Sequence, residues 1–261
     1  MTHAHEIPDV TLPDGTRMPI VGFGTWRLRG DEAYTAVRSA LDLGYRHLDT
    51  ATMYGNEAEV GRAVRDSGVP REELYLTTKL PAERAGRARR TIEESVHALG
   101  TDHVDLWLIH WPPNGRAAVG VWEDLLAARA DGLTTSVGVS NYDLDQIDEL
   151  VKATGELPAV NQIPWYPSRH DPALLAGHRE RGVVVEGYSP LKGSDLRDPV
   201  LTAVATAHGV TVPQVILRWH LEHDIVIIPK SASPDRMATN LDLFGFALTP
   251  AEVASIDGLA A

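Results

Sequence analysis

The sequence predicts an α/β protein built on a (β/α)₈ barrel with a short N-terminal β-hairpin. Three observations predict it. Eight short apolar runs alternate with helical patterns, and alternating β and α implies parallel strands joined by helical crossovers. The 261 residues, 43% of them hydrophobic, are in the range of one such barrel. No Gly-x-Gly-x-x-Gly follows an early run, which weakens the main competitor, an open doubly wound sheet. No linker, low-complexity stretch or internal boundary stands out, so residues 1–261 read as a single domain.

The hairpin comes first. Val10 to Pro19 holds two extended runs around Asp14-Gly15, a turn pair. Ile20 to Trp26 is the first apolar strand running into a loop, and Asp31 is placed to cap a helix through about Leu43. Further strands are expected at Tyr45–Asp49, Leu74–Lys79, Val104–His110, Ser136–Ser140, Ala159–Gln162, Val183–Tyr188 and Ile225–Pro229. Helices are expected at Glu57–Ser67, Arg87–Leu99, Val119–Ala130, Leu144–Thr154, Pro172–Arg181 and Val200–His208. Thr249–Ala261 reads as a final capped helix with Val253, Ile256 and Leu259 on one face.

Composition removes several function classes. Lys and Arg total 24 and Asp and Glu total 36, for a formal charge of −12. Nucleic acid and anionic membranes are therefore not expected partners, and an anionic ligand must be drawn by a local cluster of bases. With no cysteine, thiol catalysis, disulfides and zinc thiolates are out. There is no long apolar span and no signal-peptide pattern, so a cytoplasmic protein is expected.

In a barrel of this kind, catalytic groups come from the C-terminal ends of strands. Asp49, Lys79 and His110 stand at three successive strand ends, and Tyr54 lies in the loop after Asp49. Singly, each has an ordinary reading: a helix cap, a surface lysine, a core histidine, a rim aromatic. Together they make chemical sense. Leu76 to Leu80 buries the approach to Lys79, and a buried lysine needs a partner, which Asp49 supplies. A free tyrosine titrates near pH 10, and a neighbouring ammonium is expected to lower that by about 1–3 units. Tyr54 then protonates an oxygen that gains negative charge, with His110 orienting that oxygen or relaying the proton. The group offers no metal shell and no serine or cysteine nucleophile.

These residues resemble a known family. Asp49-Thr50-Ala51-x-x-Tyr54-Gly55, the Lys79 strand end, Ile109-His110-Trp111-Pro112 and Gly138-Val139-Ser140-Asn141-Tyr142 look like the aldo-keto reductase superfamily. So do Ala159-Val160-Asn161-Gln162, Tyr188-Ser189-Pro190-Leu191 and Ile228-Pro229-Lys230-Ser231. The matches run in the family's order from about residue 7 to 255, and they resemble its small monomeric prokaryotic reductases most. The resemblance implies a barrel that uses NADPH without a Rossmann fold. Asp49, Tyr54, Lys79 and His110 become the catalytic tetrad, with Tyr54 as general acid. Ser140, Asn141 and Gln162 match the holders of the nicotinamide carboxamide, and Tyr188 the aromatic that stacks on the ring. Ser189 and Leu191, with Gly193 or Ser194, match pyrophosphate contacts, and Thr25 is carried over as a further cofactor contact.

Lys230 to Arg236 places two bases and two hydroxyls after the last strand, at a helix start. Free N–H groups there attract phosphate, and Arg236 offers a forked donor. By resemblance, Lys230, Ser231 and Arg236 clamp a 2′-phosphate and Asn240 meets adenine, which favours NADPH over NADH. The family usually has Glu before that Asn, whereas this chain has Thr239, putting one cofactor contact in doubt.

Trp26, Met53, Tyr54, His110, Trp111 and Trp165 are the expected substrate walls. Asn161 to Trp165 departs from the commoner family form, which has Glu after the apolar residue. The segment after His110 and the C-terminal tail both look short, so an open, weakly selective site for carbonyl substrates is expected. Two rivals remain. One is a lyase with Lys79 as Schiff-base amine, which needs a neutral lysine. The other is a non-catalytic NADPH-binding sensor.

Overall fold

The computed structural model describes residues 7–260. Strands β1 (Asp9–Thr11) and β2 (Arg17–Pro19) pair antiparallel, with Val10 opposite Met18. Their turn is set by Asp14, whose Oδ1 accepts from the Thr16 N–H at 3.0 Å, and by Gly15 at φ +86°. Leu12 and Met18 of this hairpin are buried against Leu106, Leu108, Val160 and Val226. The hairpin thus closes the N-terminal end of the barrel.

Eight parallel strands follow: β3 (Gly22–Gly24), β4 (His47–Asp49), β5 (Tyr75–Leu80), β6 (Val104–Ile109), β7 (Thr134–Ser140), β8 (Val160–Pro164), β9 (Val184–Tyr188) and β10 (Val226–Ile227). They lie in sequence order, and a parallel bridge between Val21 and Ile227 joins the last to the first. Gly24 sits at that seam, with its N–H donating to Pro229 O at 3.3 Å. A Cβ on Gly24 would lie 2.7 Å from the Ile228 carbonyl oxygen, so closure requires glycine there.

The helices are α1 (Gly30–Asp42), α2 (Glu57–Ser67), α3 (Ala88–Leu99), α4 (Val119–Ala130), α5 (Leu144–Thr154), α6 (Pro172–Arg181), α7 (Pro199–His208), α8 (Val212–Glu222), α9 (Pro234–Leu241) and α10 (Pro250–Asp257). Most bury one stripe against the strands. In α1 the stripe is Ala33, Ala36, Val37, Ala40 and Leu41, at the 3- and 4-residue spacing of one helical face. No single helix among the described residues is long and apolar enough to cross a membrane.

Three local expectations need correction. Asp31 does not cap α1: it lies in the first turn, with Arg29 at the cap position and no side-chain cap bond. Helix α8, between His208 and Ile225, is absent from the expected helices. Its residues Gln214 to Leu217 and Trp219 to Leu221 are buried, and its polar side is one narrow row, Gln214, Arg218 and Glu222, spaced four residues apart. Its cap was visible nonetheless: Thr211 and Gln214 form a reciprocal capping box. The last strand is only two residues long.

Candidate active site

The site begins at the C-terminal end of β4. After Asp49 the chain turns through a 3₁₀ segment, Thr52–Tyr54, which ends on Gly55 at φ +65°. Buried Asn56 holds this turn to the neighbouring loop. Its Nδ2 donates to Thr25 O and Leu28 O, both at 3.0 Å, and its Oδ1 accepts from Thr50 Oγ1 at 2.7 Å. Thr52 Oγ1 donates to Lys79 O at 2.9 Å. These bonds fix where the phenol of Tyr54 stands relative to β5.

Lys79 is fully buried. Its ammonium donates to both carboxylate oxygens of Asp49 and to Thr50 O, each at 2.7 Å. An ammonium has three protons, and all three have acceptors. Burial pulls the Lys79 pKa down, but Asp49, aided by Tyr54 and Glu186, outweighs it and holds the group above the usual lysine value. The Nζ lies 5.1 Å from the centroid of the Tyr54 ring.

Tyr54 departs from expectation. Burial pushes its phenol up, Lys79 pulls it down, and the balance lies above the ordinary value. Desolvation of a phenolate outweighs an ammonium whose charge Asp49 already largely offsets. His110 packs edge-on to the Tyr54 ring, with centroids 5.7 Å apart. Burial, with Lys79 adding to it, lowers its imidazole to about 3, so His110 is neutral at ordinary pH. Its Nδ1 has no partner among the described residues.

A belt of amides lies beside this group. Gln162 Nε2 donates to Asp49 Oδ2 and to Glu186 Oε2, both at 2.8 Å. Ser140 Oγ donates to Gln162 O at 2.8 Å. Asn141, at φ +64°, donates through Nδ2 to Ser140 Oγ and His110 O, and its Oδ1 accepts from Tyr188 OH at 2.9 Å. Ser189 also has positive φ, +55°. Such strain in non-glycine residues is concentrated at functional sites.

Asp49, Tyr54, His110, Ser140, Asn141, Gln162, Tyr188, Ser189 and Lys230 all open onto one cleft of about 450 Å³. Its rim is apolar: Trp26, Met53 and Trp111 are 47%, 55% and 50% exposed. Lys79 and Thr25 stand behind the wall, fully buried, and Thr25 Oγ1 donates to Asp49 O at 2.9 Å. Leu191 packs partly buried against the core. Gly193, at φ +79°, lies against the Tyr166 ring, and Ser194 Oγ is buried without a partner among the described residues. Ser231 lies just before α9, and Arg236 and Asn240 lie within it, all three outside the cleft lining. Ser231 Oγ accepts from the Arg236 Nε–H at 3.3 Å, and Asn240 is buried.

Trp165 is the correction among the substrate walls. It is 1% exposed and packs in the core with Trp219 and Ile225, away from the cleft. Its position just after a strand suggested a rim residue, yet the chain turns inward there. Three residues of the site escaped the sequence reading. Lys192 lines the cleft four residues after Tyr188, where its charge alone was the signal. Asn56 and Glu186 act from behind. Glu186 is fully buried, and burial, with Asp49 nearby, raises its carboxyl to about 8. An acid within the apolar run Val183–Tyr188 was the visible sign of it.

Residues 20–261 match the model of the Aldo/keto reductase family. Morphine 6-dehydrogenase of Pseudomonas putida is 42% identical over 98% of this chain and 92% of its own length. 2,5-diketo-D-gluconic acid reductase B of a Corynebacterium species is 45% identical over 97% of this chain and 93% of its own. Among solved structures, a Bombyx mori aldo-keto reductase in complex with NADP superposes with a TM-score of 0.93 at 36% identity, covering 98% of this chain and 94% of that one. On this match, and on a barrel whose strand ends carry the site just described, the chain belongs to the aldo/keto reductase family of oxidoreductases.

Proposed function

We propose that this protein is an NADPH-dependent reductase of aldehydes and ketones in which Tyr54 is the general acid. The observation that carries the reading is the Lys79 ammonium, fully buried, with every proton accepted, against the Tyr54 ring at the mouth of the cleft. The names of two relatives, a reductase and a dehydrogenase, describe the two directions of one such reaction.

The residues suit the cofactor. Lys192 and Lys230 at the cleft and Arg236 beside it form no ion pair among the described residues. Unpaired cations at the cleft of a protein of net charge −12 fit a polyphosphate ligand. Lys230, Ser231 and Arg236 would hold the 2′-phosphate, Asn240 the adenine, and Ser189, Leu191, Gly193 and Ser194 the pyrophosphate. Thr25 backs the wall beside them. Ser140, Asn141 and Gln162 would fix the carboxamide, and Tyr188 would flank the ring. The bound cofactor supplies a hydride to the carbonyl carbon.

The chain's own residues do the rest. Neutral His110 orients the carbonyl oxygen beside the Tyr54 hydroxyl. As that oxygen gains charge, Tyr54 gives up its proton. An alkoxide is about as basic as hydroxide, whose conjugate acid water has a pKa of 15.7, so even a phenol raised by burial transfers its proton downhill. Lys79 then faces the phenolate and stabilises it, and Asp49 keeps Lys79 charged and in place. Because the phenol lies above its ordinary value, Tyr54 stays protonated across neutral pH, and reduction slows only at alkaline pH. A charged Lys79 also argues against Schiff-base chemistry.

Trp26, Met53 and Trp111 are the substrate walls in this reading. The short segment between β6 and α4 leaves them open to solvent, which supports broad selectivity among aldehydes, α-ketoesters and diketones. NADPH oxidation with a simple aldehyde tests the proposal. Tyr54→Phe should lose about 10²–10⁴ in turnover while still binding the cofactor. Unchanged turnover in that variant removes Tyr54 as the acid, and binding without turnover in the wild type makes the protein a sensor.

A further inference from the structure

Away from the cleft, His170, His223 and Asp257 meet from three separate parts of the chain. His170 follows the turn after β8, His223 follows α8, and Asp257 is the last residue of α10. We propose that these three side chains form a binding site for one divalent first-row cation of the zinc type, which ties α10 to the barrel.

The distances admit one metal ion. One potential ligand atom from each residue lies within 4.8 Å of the others. His223 Nε2 is 2.8 Å and His170 Nε2 is 3.7 Å from the same Asp257 Oδ1. Around zinc, with ligands at about 2.0–2.2 Å, tetrahedral geometry sets ligand atoms about 3.3 Å apart. The two separations bracket that value, so side-chain shifts of about half an ångström bring both nitrogens to bonding distance. The two imidazoles are tilted by 30° with centroids 5.0 Å apart, and both direct Nε2 at one carboxylate.

Hydrogen bonding alone does not account for the cluster. It explains His223, whose Nε2 pairs with Asp257 at 2.8 Å. It does not explain His170. That side chain is only 7% exposed, its Nδ1 is buried without a partner among the described residues, and its Nε2 stops 3.7 Å from Asp257, too far for a hydrogen bond. This imidazole is packed edge-on against Trp165 and Trp219, with its Nε2 directed at Asp257 and free to take a ligand.

The surroundings supply what ligands need. Trp219 Nε1 donates to Asp257 Oδ1 at 2.8 Å, holding the carboxylate as outer donors hold metal ligands. Two imidazoles and one carboxylate suit zinc or cobalt and do not suit calcium or magnesium, which need oxygen shells. Three protein ligands leave the fourth position to water. None of the three lines the cleft, so the site is independent of the proposed reductase chemistry.

The test uses tag-free protein stripped with a chelator and titrated with Zn²⁺, Co²⁺ and Mg²⁺. One equivalent of zinc should bind, cobalt should develop the strong visible absorption of a tetrahedral site, and magnesium should do neither. Zinc at 100 times its Kd should raise Tm by roughly 5–10 °C. Asp257→Asn keeps an oxygen for the Trp219 donor, and His223→Gln replaces a partly buried side chain at the C-terminal cap of α8. Each should abolish the cobalt band and weaken zinc by more than about 100-fold. Absence of stoichiometric binding to the wild type, or equal binding to both variants, overturns the proposal.

Discussion

Replacing Lys79 with methionine separates what the lysine does for the fold from what it does for the reaction. The substitution conserves most of the stem and deletes the charge. Asp49, 2% exposed, then loses two hydrogen bonds at 2.7 Å and the positive charge that compensates its own. Among the described residues only the Gln162 Nε2 donor at 2.8 Å remains to it, and Thr50 O loses its donor as well. Removing one member of a buried ion pair costs about 3–5 kcal/mol. For a chain of this size each kcal/mol moves Tm by about 2–4 °C, so Lys79→Met should melt roughly 6–20 °C lower. Urea denaturation followed by tryptophan fluorescence measures the same loss. The double variant Lys79→Met with Asp49→Leu leaves neither charge buried, and it should recover most of the stability. It should not recover turnover, because Tyr54 still lacks the ammonium that stabilises its phenolate; a deficit of about 10²–10⁴ is expected in both variants. A single variant as stable as wild type refutes the account of the buried pair. A double variant with wild-type turnover refutes the role given to Lys79.

Two further variants probe the surroundings. Glu186 has its carboxyl raised from 4.5 to about 8, by burial first and by Asp49 next. The folded protein therefore keeps a proton that the unfolded chain releases, and the stability that proton brings, complete below about 4.5, is lost as pH rises through about 8. Urea midpoints across that window should fall with pH in the wild type, and Glu186→Gln, a neutral isostere, should flatten the trend; equal slopes would count against a protonated Glu186. Arg236 is an exposed base without an ion pair among the described residues, beside Ser231 at the start of α9. Arg236→Ala should raise the KM for NADPH by about 10-fold or more, one charge-assisted contact being worth about 1.5–3 kcal/mol, and leave that for NADH unchanged; parallel changes in both would place the 2′-phosphate elsewhere.

Much of the architecture was readable before any coordinates. Runs such as Val104–Ile109, buried on both faces, have to be strands of a covered parallel sheet, and the stripe in α1 has to face them. Helix α8 was legible too, from Gln214, Arg218 and Glu222 spaced four residues apart and from the Thr211–Gln214 cap, and the sequence reading missed it. At the site, the residue types and their strand-end positions named Asp49, Tyr54, Lys79 and His110 as one group. Their energetic balance was not readable. The sign of the Tyr54 shift depends on how much burial opposes Lys79, and burial is a property of everything packed around the ring. Trp165 shows the same limit: a tryptophan after a strand reads alike whether its loop turns out to solvent or back into the core.

The order of elements, the strand ends and the chemistry available at them are local, because each follows from the period of apolar residues and the identity of the next few side chains. Three things belonged to tertiary structure alone: the seam at Gly24, the chain of bonds from Glu186 through Gln162 and Asp49 to Lys79, and the meeting of His170, His223 and Asp257. Each joins residues far apart in sequence at distances of a few ångströms. Such distances are set by how eight strands close and ten helices pack around them, and no window along the chain contains that information.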